Sequence, residues 1–387
     1  MGPFPHEAPP AVITPANPAG TDGFGFVEYA HPNPAELHAL FQTMGFEAVA
    51  KHRSKAITLY RQGDVNYLVN EEPGSHAVKF AVEHGPCASS MAFRVVDAKH
   101  AYRRAIELGA EPADISLGSL ALDVPAIKGI GNSLLYFVDV YGEKGSAFDA
   151  EFDWLGERDP RPVGEGLYYL DHLTHNVGRG RMDLWAGFYE RIFNFREIRY
   201  FDIKGEYTGL FSRALTSPDG KIRIPINESA DEKSQIEEYL YQYKGEGIQH
   251  MACGCRDVYA TVESLRARGL QFMPSPPATY YERIDDRVPG HGENLERLKR
   301  NGILLDGEGA IAVGDKEAKL TKVLLQIFSA NAVGPIFFEF IQRKGDEGFG
   351  EGNFRALFVS IEEDQVRRGV LTPTAAKLPE MAPRSGI

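Results

Sequence analysis

Three side chains of this 387-residue chain have the types and settings of a metal-binding set: His172, His250 and Glu339. His172 and His250 each sit in a run that reads as a β-strand, and Glu339 interrupts the apolar run Ile336-Phe-Phe-Glu-Phe-Ile341. A carboxylate in such a run is costly to bury unless it is paired or bound to a cation. Two imidazoles and one carboxylate are the protein's share of a facial triad, which suits Fe(II) and leaves three of its positions open. One carboxylate against a divalent ion leaves a local charge of about +1, which draws in an anionic ligand. Each residue also has a plainer reading. A lone His250 is more often a satisfied core histidine, and a lone Glu339 reads equally as a buried salt-bridge partner. His175 competes with His172, because strand residues three apart point to opposite faces and only one reaches a common cavity.

The elements that would position these groups come from an internal repeat. Each half opens on a short strand, Phe26-Val-Glu-Tyr-Ala30 and Tyr169-Leu-Asp-His-Leu173. An amphipathic helix follows, carried by Leu37, Leu40, Phe41 and Met44 in the first half and by Leu184, Trp185, Phe188, Ile192 and Phe193 in the second. The helices stop at Met44-Gly-Phe46 and Phe193-Asn-Phe195, where Gly or Asn suits a helix end. Later, Ser90-Met-Ala-Phe-Arg-Val-Val-Asp97 aligns without a gap on His250-Met-Ala-Cys-Gly-Cys-Arg-Asp257, and both lead into helices ending at Gly109 and Gly269. Strands are expected to close the halves near Leu134–Val140 and Ile336–Ile341. The alignment sets His172 against Tyr29, His250 against Ser90, and Glu339 against Val138 or Asp139. The second copy thus keeps a possible metal set that the first lacks, and the repeat favours His172 over His175.

A β-α-β-β-β unit leaves a concave face that a neighbouring unit must cover. The expected fold is therefore α+β: tandem βαβββ units forming two open, barrel-like domains, with helices outside and a ligand cavity within. Residues 1–22, with six prolines, read as a disordered arm. Residues 23–155 are expected to form a first barrel without metal and 156–371 a second, catalytic barrel. Residues 372–387 read as a flexible tail.

Hydrophobic content of 43% and charged content of 25% are those of a globular enzyme, and a net charge of −12 argues against nucleic acid or an anionic membrane as partner. Three cysteines make no disulfide framework, and the Cys253-x-Cys255 spacing is not that of a zinc site. No apolar run approaches the roughly 20 residues that span a bilayer, and the first residues do not read as a signal peptide. A cytoplasmic address is expected. A homo-oligomer, dimer or tetramer, is also expected, because the half without a metal set is free to pack against another copy.

Beyond spacing, eight segments are recognisable: LDHLTHNV (170–177), FREIRYFDIKGEYTGL (195–210), IRIPINE (222–228), GEGIQHMA (245–252), PSPPATYYE (274–282), LLQIF (324–328), FFEFIQRKG (337–345) and GFGEGNF (348–354). Together they closely resemble the 4-hydroxyphenylpyruvate dioxygenase family, nearly continuously from about Leu170 to Leu371 and more weakly over 24–155. That family has the vicinal oxygen chelate, or glyoxalase-like, fold, in keeping with the repeat. The resemblance implies His172, His250 and Glu339 as ligands of one Fe(II) per chain. It implies Ser212, Asn227, Gln235, Gln249 and Gln326 as the polar lining that orients substrate, and Phe328, Phe337, Phe349, Phe354 and Asn353 as the substrate pocket. A helix from Phe354 to Arg368 would gate the cavity. On the residues alone, each Phe reads equally as core and each Gln as surface. The implied reaction converts 4-hydroxyphenylpyruvate and O2 to homogentisate and CO2 in tyrosine and phenylalanine catabolism.

The nearest alternative is hydroxymandelate synthase, which resembles this chain at the metal and takes the same substrate. Asn227 and Phe337 fit the ring-hydroxylating pattern better. An extradiol catechol dioxygenase fits FFEFIQRKG and GFGEGNF poorly. A glyoxalase-type isomerase would need ligands from paired units, where Tyr29 and Ser90 are poor donors. A metal-free binding module has no use for three ligands, and Gly348-Phe-Gly350-Glu-Gly352 lacks the strand-to-helix setting of a nucleotide loop.

Overall fold

In the computed structural model of the chain, the described residues are 7–114, 118–204, 209–232, 234–308 and 321–353. The first half runs β1 (Thr21–Ala30), α1 (Pro34–Thr43), β2 (Glu47–His52), β3 (Ile57–Gln62), β4 (Val65–Asn70), α2 (His76–His84), β5 (Cys87–Val95), α3 (Ala98–Glu107), β6 (Ala126–Lys128), β7 (Leu134–Val138) and β8 (Phe152–Trp154). The second runs β9 (Leu167–Val177), α4 (Met182–Phe193), β10 (Arg196–Lys204), β11 (Gly209–Thr216), β12 (Arg223–Ser229), α5 (Gln235–Tyr243), β13 (Gly247–Cys255) and α6 (Val258–Ala267). Short helices α7 (Ala278–Glu282), α8 (Ile284–Arg287) and α9 (Leu295–Asn301) lead to β14 (Leu304–Glu308), β15 (Lys322–Phe328) and β16 (Phe337–Lys344).

Each half forms an 8-stranded sheet, ordered β6-β7-β5-β1-β4-β3-β2-β8 and β10-β11-β12-β9-β13-β16-β15-β14. The orders superpose because each unit brings its last strand back parallel to its first: β4 to β1, β7 to β5, β12 to β9 and β16 to β13. The units meet where β1 pairs antiparallel with β5, and β9 with β13. This is the expected tandem βαβββ architecture with two curled, half-barrel sheets. One unit departs from it: after α3 the first half has two strands, and β8 instead extends the far edge against β2.

Local chemistry explains the repeat's helices. Asp97 and Asp257 cap α3 and α6 by accepting backbone N–H groups from His100 and from Tyr259 and Ala260. Both helices stop at glycines with positive φ, Gly109 and Gly269. Asn194 ends α4 in the left-handed region, at φ 59° and ψ 33°. Leu184, expected on the buried face of that helix, is instead 52% exposed, and Met182, Ala186 and Tyr189 are buried with Phe188, Ile192 and Phe193.

One large core joins the helices to both sheets. In it Tyr29 donates its hydroxyl to Met251 Sδ, and the Tyr67 hydroxyl lies 3.2 Å from Cys253 Sγ. The interiors of the two sheets differ sharply. That of the first is filled by Phe26, Leu59, Ala92, Tyr136, Phe148 and Phe152. In the second, the corresponding apolar cluster among the described residues is Ala252, Leu324 and Ile341. Three buried cysteines, Cys87, Cys253 and Cys255, are free thiols. Among the described residues no helix is long and apolar enough to cross a membrane.

Register corrects part of the repeat alignment. Ala252 opposes both His172 and Glu339. Its counterpart Ala92 opposes Tyr136 and lies between the pairs Phe24↔Phe93 and Val27↔Met91, where Phe26 projects. The positions matching His172 and Glu339 are therefore Phe26 and Tyr136, whose rings are 5.4 Å apart, and not Tyr29 and Val138 or Asp139. The alignment of letters set β1 three residues out of step with β9: Glu28 faces Ser90 as Thr174 faces His250, so Phe26 falls where His172 does. Ser90 does match His250, since they oppose Leu134 and Phe337.

The expectation of a disordered arm over 1–22 also needs correction for its later part. Ala19 is fully buried, the Asn17 side chain holds Thr21, and β1 begins at Thr21. The second half anchors this stretch through Asn194 Nδ2 to Ala16 O at 2.7 Å and Lys221 Nζ to Pro9 O at 3.1 Å. Prolines disfavour helix but leave carbonyls free as acceptors, so an extended segment can be tied down from outside. Phe354, the expected gating helix and the tail over 372–387 lie outside the described residues.

Candidate metal centre

His172 on β9, His250 on β13 and Glu339 on β16 point into the second interior, and their ligating atoms all lie within 4.8 Å of one another. Glu339 Oε2 is 3.1 Å from His172 Nε2 and 3.4 Å from His250 Nε2. Adjacent donors around a cation with bonds of about 2.1 Å stand roughly 3 Å apart, so the set fits one metal ion. The imidazole rings are 5.5 Å apart and nearly perpendicular at 78°. His175 faces the other way, 2.7 Å from the Tyr189 hydroxyl of α4, and burial drives its pKa down to about 3.

The electrostatics suit a cation. Burial would raise the Glu339 carboxyl, but His172 and His250 outweigh it and hold it at about 2. Burial would lower His172, and Glu339 and Asp171 reverse that, so it stands above its ordinary value. His250 is lowered by burial, which Glu339 only partly offsets. The carboxylate is thus ionised, and the imidazole nitrogens facing it are where a divalent ion would replace a proton.

Several residues not anticipated in the sequence orient these groups. His172 Nδ1 lies 2.9 Å from Asp171 Oδ1, which fixes the ring with Nε2 toward Glu339. Asp171 is itself held by Arg343 at 2.7 and 2.8 Å and by Arg223 at 3.3 Å. Thr174, two residues beyond His172 and on the same face, places Oγ1 3.0 Å from His250 Nε2. The period of two along β9 was the available signal for Thr174 and Asn176. A basic residue four positions past Glu339 was the signal for Arg343.

The expected polar lining is largely assembled as a row across neighbouring strands. Ser212 on β11 opposes Asn227 on β12, and Asn227 opposes Asn176 on β9. Asn227 Nδ2 donates to Asn176 Oδ1 at 3.4 Å and to Gln249 Oε1 at 3.5 Å. Gln249 is the extra residue of a bulge between Ile248↔His175 and His250↔Thr174, so both it and His250 face inward. Its Oε1 also lies 3.0 Å from His250 Nδ1. Gln326 on β15 is buried beside Ile341, two residues past Glu339, and its Oε1 has no hydrogen-bond partner among the described residues. Gln235 does not join this row. It is exposed in the first turn of α5, where the Ser234 cap rather than the interior fixes the chain.

The aromatic residues do gather. Phe337 stacks on His250 with centroids 4.8 Å apart at 19°, and Phe328 meets Phe337 edge-on at 6.0 Å. Phe349 meets the His172 ring edge-on at 5.5 Å. Gly350 has φ +75°, and a Cβ there would strike the Gln326 amide at 2.2 Å, so only glycine lets this loop lie against Gln326. Asn353 is buried, but its Oδ1 accepts from the Tyr280 hydroxyl at 2.5 Å and so ties the loop to α7.

Comparison with known proteins agrees with this geometry. Residues 16–153 match the family model described as "Hydroxyphenylpyruvate dioxygenase, HPPD, N-terminal", and 169–295 match that of the "Glyoxalase/Bleomycin resistance protein/Dioxygenase superfamily". A 4-hydroxyphenylpyruvate dioxygenase of a Pseudomonas species is 57% identical over 357 residues, covering 92% of this chain and 98% of that protein. One from Pseudomonas aeruginosa is 55% identical over 364 residues, covering 93% and 99%. Among solved structures, a triple mutant of 4-hydroxymandelate synthase from Streptomyces coelicolor has the same fold, with a TM-score of 0.72 at 24% identity, covering 89% of this chain and 99% of that one. With its two half-barrels, its inward His/His/Glu cluster and these relatives over nearly its whole length, the chain belongs to the 4-hydroxyphenylpyruvate dioxygenase family.

Proposed function

We propose that the protein binds one Fe(II) per chain through His172, His250 and Glu339 and converts 4-hydroxyphenylpyruvate and O2 to homogentisate and CO2, in tyrosine and phenylalanine catabolism. The observation that carries this reading is the convergence of those three ligating atoms within 4.8 Å inside a half-barrel whose twin is packed with aromatic rings. Bound iron would supply chelation of the substrate's 2-oxo acid and activation of dioxygen. The chain's own groups do the rest. Ser212, Asn227 and Gln249 offer neutral donors and acceptors that can fix the phenol without adding a competing charge. Gln326 brings to the interior a buried amide carbonyl that is unpartnered among the described residues. Phe328, Phe337 and Phe349 keep water from the reacting centre. The decisive experiment is oxygen uptake with 4-hydroxyphenylpyruvate and Fe(II), with identification of the product. Homogentisate supports the reading; no uptake, or 4-hydroxymandelate, refutes it.

Phe337 separates the two outcomes at one position. Its ring stacks on His250 and so bounds the space beside the metal. Phe337→Ile removes that flat wall, and the ratio of ring-hydroxylated to other products is expected to change more than the rate of O2 uptake. Product analysis beside an oxygen electrode checks this, and an unaltered product ratio argues against the wall.

Metal affinity should also depend on pH. His172 stands above its ordinary value because Glu339 and Asp171 outweigh its burial. A proton therefore competes for Nε2 at higher pH than on a free histidine. Affinity is expected to be fully present above that raised value and to fall as pH drops through it. Metal titrations between about pH 8 and 5 read this directly; a flat profile contradicts the ligand assignment. A cytoplasmic address and a homo-oligomer belong to the same proposal. Three free thiols support the first, and the exposed edge strand β10, with Tyr200 53% exposed, supports the second.

A further inference from the structure

The loop that follows β16 and the imidazole of His172 hang from one buried carboxylate. Asp171, with a side chain 0% exposed, receives the Tyr169 hydroxyl at 2.9 Å, Arg343 Nε and Nη2 at 2.7 and 2.8 Å, and Arg223 Nη1 at 3.3 Å, besides His172 Nδ1 at 2.9 Å. Its roughly four lone-pair sites are therefore saturated. The two arginines come from different strands, β12 and β16, and both continue to the loop. Arg343 Nη1 donates to the carbonyls of Asp346 and Gly348 at 3.1 and 2.6 Å. Arg223 Nη2 pairs with the carboxylate of Glu347. The same loop presents Phe349 to the edge of the His172 ring and seats Gly350 on Gln326.

We propose that Arg223 and Arg343 are positioning residues that make Asp171 a common anchor for His172 and for residues 346–350, so that the seating of the loop sets how His172 presents Nε2 to the metal. The inference rests on the metal assignment above. Its physical basis is the saturation of Asp171. A loop displaced from its seat pulls on both guanidinium groups, and the carboxylate cannot turn toward them without loosening the His172 bond that fixes the ring. Glu347 is the point at which this chain of contacts can be cut from outside. Its side chain is 50% exposed, and it pairs with Arg223 rather than with Asp171 or a metal-facing atom.

The test is a cobalt(II) titration of the metal-free full chain, followed by visible absorption, on the unsubstituted protein, Glu347→Gln, Asp171→Asn and the double variant. Asp171→Asn should weaken binding about 10–100-fold. Glu347→Gln should weaken it on the order of three- to ten-fold, with an unchanged unfolding temperature as befits a half-exposed pair. The double variant should be no weaker than Asp171→Asn alone, because both act through one carboxylate. Unchanged affinity in Glu347→Gln overturns the coupling, and so do strictly additive effects. If the unsubstituted chain takes up cobalt no better than Glu339→Gln does, the metal assignment itself fails, and the two failures are told apart. Should Asp171→Asn not fold, the comparison of Glu347→Gln with the unsubstituted chain still decides.

Discussion

Glu339→Gln is expected to strip the protein of metal and abolish turnover while the chain stays folded. The substitution keeps the volume of a side chain that is only 4% exposed, but it replaces an anion with an amide. In the folded chain two histidines hold this carboxyl at about 2, so at neutral pH it is fully ionised and available to a cation. Without it a divalent ion would face two neutral imidazoles in an apolar interior, with no charge to offset its own. The loss of affinity should exceed the roughly 10–100-fold that removing an outer partner costs. His250→Ala should behave alike, since it removes a second donor of the same three. Metal content after gel filtration and oxygen uptake are the readouts; full activity in Glu339→Gln would remove the basis of the proposed function.

Arg343→Met should have the largest effect on stability. Its side chain is 1% exposed and it makes two short bonds to Asp171, whose side chain is 0% exposed. Removing one partner of a buried pair leaves the other's charge uncompensated, at a cost of about 3–5 kcal/mol. That is a large share of a typical stability of about 5–15 kcal/mol. The remaining contact to Arg223, at 3.3 Å, offsets part of the loss. The same pair sets an acid response. Burial would raise Asp171, but Arg343 and Arg223 hold it well below the usual carboxylate value. A carboxyl depressed in the folded state adds stability above its unfolded pKa and loses it as pH falls through the folded one. In Arg343→Met the depression shrinks, so acid unfolding should begin at higher pH. Thermal and acid unfolding followed by circular dichroism check both. A variant as stable as the parent would show that Asp171 does not depend on this arginine.

Much of this protein was legible in its residues because the relevant signals are local. The repeat was read from helix stops and from the gap-free match of Ser90–Asp97 on His250–Asp257, signals that depend on neighbours a few positions away. A carboxylate set in an apolar strand marked Glu339 without any tertiary knowledge. Strand alternation allowed only one of His172 and His175 to reach a common cavity, the repeat favoured His172, and His175 lies against Tyr189. What failed were statements about which residue stands opposite which. Tyr29 was set against His172, whereas the strand pairing puts Phe26 at that position.

Tertiary structure alone decided the rest. Gln235 carries the same amide as Gln249, yet one is exposed on a helix and the other is turned inward by a bulge. Asp171 is one letter in LDHLTHNV, and its role exists only because arginines 52 and 172 positions away fold onto it. Whether an interior is filled or left open depends on distant side chains, as when Phe148 and Phe152 occupy the first half-barrel. The amino-acid order by itself determined the repeated unit, the metal-capable side chains and the strand face that carries them, because those follow from residue type and period. The folded chain determined the pairing register, the buried ion cluster and the different linings of the two interiors, because these depend on contacts between segments that sequence proximity does not encode.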